Sequence, residues 1–534
     1  MSAILESAVL FYPRGGSAQV IRYLHHELNH RGWSTRLHAG SLGHSGAPSH
    51  AATFYRGLDL RAFDYNDAHD AFTRGENPQH TPRPFHPSYE DRGICPDPLF
   101  GAVPPGDADR LTRAWTRHLT HHRTPGAQLL HLHHLSHLQT SARSAYPGIP
   151  CITTLHGTEL KLIDGMDRRL RLAHRIATSM GSLACLLHSD NPHRLVEADR
   201  LATAAGLDQA DRDLLVSTVW QKWTHSRYWL DRLRQAALHA GLLVAVSQHD
   251  HELSRRLLPV EQDPEVIANG VDTHTFRPQR LDDRQRMDHL RHWLVTDPHG
   301  WGPGGTPGSI RYTEHDLRRF LDDDGRLRPL LLWVGRFLDF KRLPVLLHAF
   351  AAARSRLHTA PVLLMWGGYP GECEGIHPAQ IVQELGIEDV VFFAGWRGHD
   401  ELPTGLNCAD LMVAPAVGEP FGMVYLEAMA CGTPPIATNS GGPARTIVPN
   451  GPRATGWLVP PDDTQSLTNT LVSALVHTDD RHRRAEHGRT HAESTYSWAT
   501  TADRYLSAYA SARHNVQRRS SASPIGRTEP RAYR

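Results

Sequence analysis

Glu419-Pro-Phe-Gly-Met-Val-Tyr-Leu-Glu427 sets two carboxylates eight residues apart, where an apolar strand ends and a helix begins. Ahead of it, Asp410-Leu-Met-Val-Ala-Pro415 reads as a short buried strand and a turn. Its own end runs into Leu426-Glu-Ala-Met-Ala-Cys-Gly432, a helix closed by a Gly C-cap. In an open α/β sheet, ligands bind in the crevice beyond the strand ends. A carboxylate there can accept hydrogen bonds from sugar hydroxyls, and backbone N–H groups at a helix start can hold oxygen-rich ligands. Taken alone, the two Glu read as solvated acids at a helix N-terminus, where negative charge is favoured. The surrounding pattern turns the reading toward a ligand site.

Around this stretch the pattern is regular. Strands are expected at 330–334, 362–366, 390–393, 411–414 and 434–437, with helices between them, which makes a doubly wound α/β unit. Tyr496 to Ala512 reads as a terminal helix, and the polar residues 513–534 as a disordered tail. The chain opens in the same style. A strand over 4–12 meets the turn Pro13-Arg-Gly-Gly16, and Val20 to Gly32 carries apolar residues at helical spacing. Further buried strands are expected at Leu129–Leu132, Cys151–Leu155 and Leu242–Ser247, with 159–240 largely helical. Residues 41–126 and 278–329 show weak periodicity and read as insertions or long loops. Val266-Ile-Ala-Asn-Gly-Val-Asp272 is a strand ending in an Asn-Gly turn, a natural hinge. The expected architecture is therefore two Rossmann-like domains, 1–265 and 266–512, facing each other across a cleft.

Composition fits that plan. At 534 residues the chain is too long for one core. A formal charge of +1 gives no nucleic-acid signal. The six Cys form no C-x-x-C pair, which argues against a zinc ribbon or disulfide scaffold and suits a reducing cytoplasm. The first residues do not read as a signal peptide, and no apolar run approaches the roughly 20 residues that span a bilayer. Arg168-Arg-Leu-Arg171 allows weak peripheral contact with anionic lipid, or is a solvated basic face. The chain has 38 His, so a His cluster such as His131-Leu-His-His-Leu-Ser-His137 is poor evidence of a metal site, although alternation puts His131 and His133 on one strand face. Only three of 57 basic residues are Lys, namely Lys161, Lys222 and Lys341.

Four further motifs lie at strand ends. Gly335-Arg336-Phe-Leu-Asp-Phe-Lys341-Arg342 puts two cations at a strand-to-helix turn, where cations are not favoured by the helix dipole but would neutralise a diphosphate. Arg14-Gly15-Gly16-Ser17 opens a helix and can bind an anion through backbone N–H groups, yet many such turns use Gly for geometry alone. Leu155-His156-Gly157-Thr158-Glu159 offers a His that can line a reacting centre, or be an ordinary loop His. Asn439-Ser-Gly-Gly-Pro-Ala-Arg445 could bring backbone amides close to a ligand, or be turn chemistry.

In this order the motifs resemble the retaining glycosyltransferases of family 4, which have the two-domain GT-B fold. The resemblance is strong over about 330–475 and weaker over 1–40 and 150–275. It implies that Arg336 and Lys341 grip the diphosphate of a nucleotide-sugar donor, with UDP-sugar as the default. Glu419 would hold the transferred sugar, with the backbone at Phe421, Gly422 and Met423 beside it, and Glu427 the ribose. Gly15 and Gly16 would face the phosphates from the other domain. His156 would sit near sugar and acceptor, and Trp396 and Arg397 by the base. The family usually carries an acid where Arg445 stands. The implied reaction moves a hexosyl group to a hydroxyl of a small-molecule, polyol or glycan acceptor with retained anomeric configuration, the departing phosphate taking the proton, and needs neither cofactor nor metal. Two other readings are a phosphorylase of the same fold and a non-catalytic nucleotide-sugar-binding protein.

Overall fold

The computed structural model describes residues 3–91, 95–260, 262–371 and 373–521, with 515–521 described by backbone alone. Two parallel sheets organise it. The first holds β1 (Ile4–Val9), β2 (Ser34–Ser41), β3 (Asp59–Asp64), β4 (Leu129–His133), β5 (Cys151–Leu155), β6 (Leu242–Ala245) and β7 (Glu265–Val266), in the order β3-β2-β1-β4-β5-β6-β7. The second holds β8 (Leu330–Gly335), β9 (Val362–Gly367), β10 (Val391–Gly395), β11 (Leu411–Ala414), β12 (Pro435–Thr438) and β13 (Trp457–Val459), in the order β10-β9-β8-β11-β12-β13. This is the GT-B arrangement of two Rossmann-like domains.

The strand order reverses between β1 and β4 in one sheet and between β8 and β11 in the other. Crossovers leave those points on opposite faces, which opens a crevice at the carboxyl ends of the central strands. The loops after β1, β8 and β11 carry Gly15–Gly16, Arg336–Lys341 and Glu419. The fold itself thus gathers three of the quoted motifs.

The second sheet is legible because helices cover both its faces. Leu330-Leu-Leu-Trp333 and Val362-Leu-Leu-Met365 are continuous apolar runs and fully buried. Several expectations change elsewhere. Residues 41–126 are not one insertion: β2 ends at Ser41, β3 completes the edge of the first sheet, and the helix Pro105–His122 buries Leu111, Trp115 and Leu119 against it. Residues 278–329 are likewise packed, with Leu290, Trp293, Trp301, Leu317 and Phe320 in the core of the second domain.

The terminal helix runs over Trp498–Ser521, past the expected end at 512; residues 522–534 of the expected tail lie outside the described residues. Nor does this helix stay with the second domain. Trp498, Ala502, Tyr505 and Tyr509 bury against Leu5, Val20, Leu24, Leu129 and Ile152 of the first. The chain turns back beside Asn269-Gly270, where Val271 N–H donates to the Tyr496 carbonyl at 2.7 Å. No described helix is long and apolar enough to cross a membrane.

Candidate active site

The loop after β8 is anchored by Phe337, which packs against Trp301 and Trp333. Arg336 and Lys341 lie on either side of this anchor. The Arg336 guanidinium donates two hydrogen bonds to Glu90, at 2.8 and 3.2 Å, across the gap between the domains. Burial pushes the Glu90 carboxyl up, but Arg336, Arg14 and Lys161 hold it below its usual range. Lys341 Nζ donates to Glu419 Oε2 at 2.5 Å. The arginine and the lysine therefore both face the interdomain gap, each holding a carboxylate.

Glu419 is fixed from behind. Its carbonyl accepts from Gly442 N–H at 2.7 Å, and Gly418 N–H donates to Ser440 Oγ at 3.0 Å. The Gly pair of the 439–445 segment thus braces the acidic loop from behind. A Cβ on Gly442 would lie 2.4 Å from the Phe421 carbonyl oxygen. Arg445 sits in the short helix Pro443–Thr446 that follows. Burial raises the Glu419 pKa, but Lys341, Lys161 and Arg336 outweigh it, so the carboxyl stays below its usual range and ionised.

Phe421 is a buried anchor, so only its backbone is available to a ligand. Gly422 has φ +79° and starts the helix Met423–Cys431, and a Cβ there would strike the Tyr425 ring at 2.5 Å. Glu427, one turn into that helix, is buried and meets His399 Nε2 at 2.9 Å. Trp396 is exposed, but Arg397 is not. Its guanidinium is buried against Asp297, Glu401 and the Trp293 carbonyl, so it ties the 292–297 turn to the sheet and its side chain has no access to a base.

Across the crevice, Gly16 faces the start of the Met423–Cys431 helix, with Met423 Sδ 3.7 Å from where a Cβ would be. Gly15 lies beside it, with open space where a Cβ would be. Arg14 bonds Asp97 at 2.9 Å and Tyr12 at 3.1 Å, so its charge is neutralised locally. His156 follows β5, and the missing Cβ of its neighbour Gly157 would lie 2.4 Å from Pro420 of the acidic loop. The His156-Gly157 turn and the acidic loop thus meet at Gly157. Burial and the nearby His131 and His134 push the His156 pKa well below its usual value, so the ring is neutral.

Four residues of this site escaped the sequence reading: Glu90, Asp97, Lys161 and Asp250. Lys161 Nζ lies 4.0 Å from the Phe340 ring centroid, with Lys341 Nζ at 5.0 Å from the same ring. Two of the chain's three lysines therefore converge on one spot, and the rarity of Lys was a usable signal. Asp250 is buried beside Gly157, with Oδ2 unpartnered. Burial, Glu159 and Glu419 push its carboxyl up to about 8 against the pull of Lys161. His131 and His133 do share a face, with rings 4.3 Å apart, but His131 bonds Tyr509 and Thr154. Among the described residues, no group of three or more His, Cys, Asp or Glu is placed to hold a metal ion.

Known proteins resemble this chain in sequence and fold. Residues 324–491 match the glycosyl transferases group 1 family, a span that includes Arg336, Lys341, Glu419 and Glu427. The D-inositol 3-phosphate glycosyltransferase of Corynebacterium urealyticum is 30% identical over 314 residues, covering 56% of this chain and 68% of that protein. The chain belongs to the group 1 glycosyl transferases. A second such relative of this glycosyltransferase, from Catenulispora acidiphila, is 33% identical over 305 residues, or 52% of this chain and 68% of that one. Among solved structures, sucrose-phosphate synthase from Thermosynechococcus elongatus has a TM-score of 0.58 at 19% identity, covering 98% of this chain and all of that one. The Anabaena HepE complex with UDP and glucose has a TM-score of 0.56 at 14% identity, covering 95% of this chain and all of that one. At those identities the two structures establish the shared fold of this glycosyltransferase.

Proposed function

We propose that this glycosyltransferase is a retaining enzyme of family 4 that moves a hexosyl group from a nucleotide-diphosphate sugar, by default a UDP-sugar, to a hydroxyl of a polyol, another small molecule or a glycan. The observation that carries this reading is the convergence of Arg336, Lys341 and Glu419 in the interdomain gap, with Lys161 opposite. In this scheme the diphosphate displaces Glu90 from Arg336 and joins Lys341. Glu419, released from Lys341, accepts hydrogen bonds from the sugar hydroxyls. The Glu427 carboxylate serves the ribose, Gly15 and Gly16 present N–H groups to the phosphates, and Trp396 lies by the base. His156 adjoins sugar and acceptor.

The acceptor oxygen forms its bond to the anomeric carbon as the bond to the diphosphate oxygen breaks. The acceptor proton passes to that departing oxygen, so no carboxylate pair of the hydrolase kind is required. Three cations around the departing diphosphate supply electrostatic stabilisation in a site that closure shields from water. Domain 1–265 presents the acceptor, and the domain from 266 the donor. All six cysteines are free, which suits work in the cytoplasm. The two relatives named above, as inositol phosphate glycosyltransferases, support a polyol-like acceptor.

The test is a thermal-shift panel of UDP-, GDP- and ADP-sugars, followed by product analysis with polyol and sugar acceptors. A donor that raises the melting temperature and yields an α-linked product from an α-linked donor is the expected result. Binding without turnover against a wide acceptor panel would instead mark a non-catalytic sensor. Phosphate-dependent disaccharide cleavage without nucleotide would mark a phosphorylase.

A further inference from the structure

His156 is held by a ladder of imidazoles. The period of two along β4 stacks His131 on His133. In the parallel register His133 lies opposite Thr154, two residues before His156. This sets His133 Nδ1 3.1 Å from His156 Nε2. The foot of the ladder is fixed from the far end of the chain, with Tyr509 OH 2.9 Å from His131 Nδ1 and Thr154 Oγ1 2.8 Å from its Nε2. On the other side, Glu159 Oε1 accepts the His156 backbone N–H at 3.0 Å and Oε2 meets His134 Nδ1 at 3.2 Å.

The protons can be counted. A neutral imidazole carries one N–H and one lone pair. Burial keeps both His133 and His156 neutral. One of the two facing nitrogens must donate. If it were His156, His133 would carry its proton on Nε2, which is buried and has no partner. An orphaned N–H in the interior is rarer and costlier than an orphaned lone pair. The proton therefore belongs on His133 Nδ1, which leaves His156 Nε2 as the acceptor and puts the only His156 proton on Nδ1. The His156 ring is partly exposed.

We propose that His133 is a positioning residue that fixes His156 as its Nδ1–H tautomer, so that the ring gives the interdomain crevice a hydrogen-bond donor. The chemical consequence rests on the transferase reading. Such a ring can donate to a sugar or phosphate oxygen, but its one lone pair is already taken by His133. It cannot accept the acceptor's proton, which must leave by another route.

The test has two arms. Two-bond 1H–15N spectra of 15N-histidine-labelled protein at pH 7, with the His156 signals identified by their loss in H156Q, should show the Nδ1–H pattern. An Nε2–H or doubly protonated His156 overturns the proposal, whether or not the enzyme turns over. The second arm compares H133N with H133L. The Asn amide can donate from near the place of Nδ1, and Leu cannot. H133N should retain kcat within about threefold, and H133L should lose about tenfold in kcat with little change in donor KM, the size of one lost hydrogen bond. Equal kcat in H133N and H133L at wild-type melting temperatures, or a His156 tautomer unchanged in H133L, also overturns it. A wild type that binds donor without turnover defeats the transferase reading while the spectra still decide the tautomer.

Discussion

The two sheets of this enzyme are built on opposite principles. The central strands of the second are apolar throughout, and its candidate site residues sit in short contiguous segments after the strands: Arg336 with Lys341, Glu419 with Glu427. The first sheet buries polar side chains inside its strands. Glu6, Ser7, His38, His131, His133, Thr153 and Thr154 are all almost fully enclosed. Glu6 alone accepts from Thr124 N–H at 2.7 Å and Tyr146 OH at 3.1 Å and meets His38 Nε2 at 2.7 Å. An apolar sheet gets its stability from area removed from water, and tolerates many sequences of the right volume. A polar one depends on complete pairing, and each lost partner leaves a buried group unsatisfied. The second domain is thus a rigid platform for a portable motif, and the first is a network whose parts are specific to this chain.

Four experiments press on that contrast. The largest effect should come from the second domain's loops. Glu419→Ala and Lys341→Ala are each expected to lower transfer by at least about a thousandfold, at the upper end for one lost electrostatic partner, while circular dichroism shows a folded protein. Near-normal turnover in both would remove the site assignment. In the first sheet the effect should fall on stability instead. Glu6→Leu strands His38, Tyr146 and the Thr124 N–H, and should cost about 3–5 kcal/mol in urea unfolding, with kcat per folded molecule unchanged. A loss under about 1 kcal/mol would mean the polar network is incidental.

The third experiment uses pH. Burial lowers the pKa of His25, His86, His118, His131 and His137 to about 3. All five lie in the first domain. In the unfolded chain each titrates near about 6.5. Below that pH the unfolded state binds protons that the folded state refuses, so stability is fully present above about 6.5 and falls as pH drops toward about 3. The melting temperature should be at least about 5 °C lower at pH 5 than at pH 7, and domain-resolved hydrogen exchange should place the loss in residues 3–260. Loss confined to the second domain would contradict the contrast. The smallest effect concerns the gap between them. The Arg336–Glu90 pair is partly exposed, so Glu90→Gln should tighten UDP binding by only about threefold, as measured by calorimetry. Weaker binding would show that Glu90 helps to place Arg336.

The same contrast explains what could be read from the chain alone. The strands at 330–335, 362–367 and 411–414 declare themselves because burial on both faces demands unbroken apolar runs. Glu419, Lys341 and Arg336 are legible because a strand-to-helix turn is local in sequence. β2 and β3 were lost because Ser34-Thr-Arg-Leu-His-Ala-Gly-Ser41 and Asp59-Leu-Arg-Ala-Phe-Asp64 interleave polar residues and imitate loops. Glu90 was beyond reach because its partner is 246 residues away. The resemblance that puts Arg397 by the base does not show that the 292–297 turn folds over its side chain. The His ladder lay between these cases. Its face could be read, but its far anchor, Tyr509, could not.

The helix at Trp498–Ser521 has a consequence for biosynthesis. The apolar face formed by Leu5, Val20, Leu24 and Leu129 is translated early, yet its cover emerges only after the whole second domain has been made. Throughout that interval the nascent first domain displays a sticky surface, which makes it a natural client for chaperones. Any ribosomal stall or nonsense codon ahead of Trp498 would release a product with that surface permanently bare.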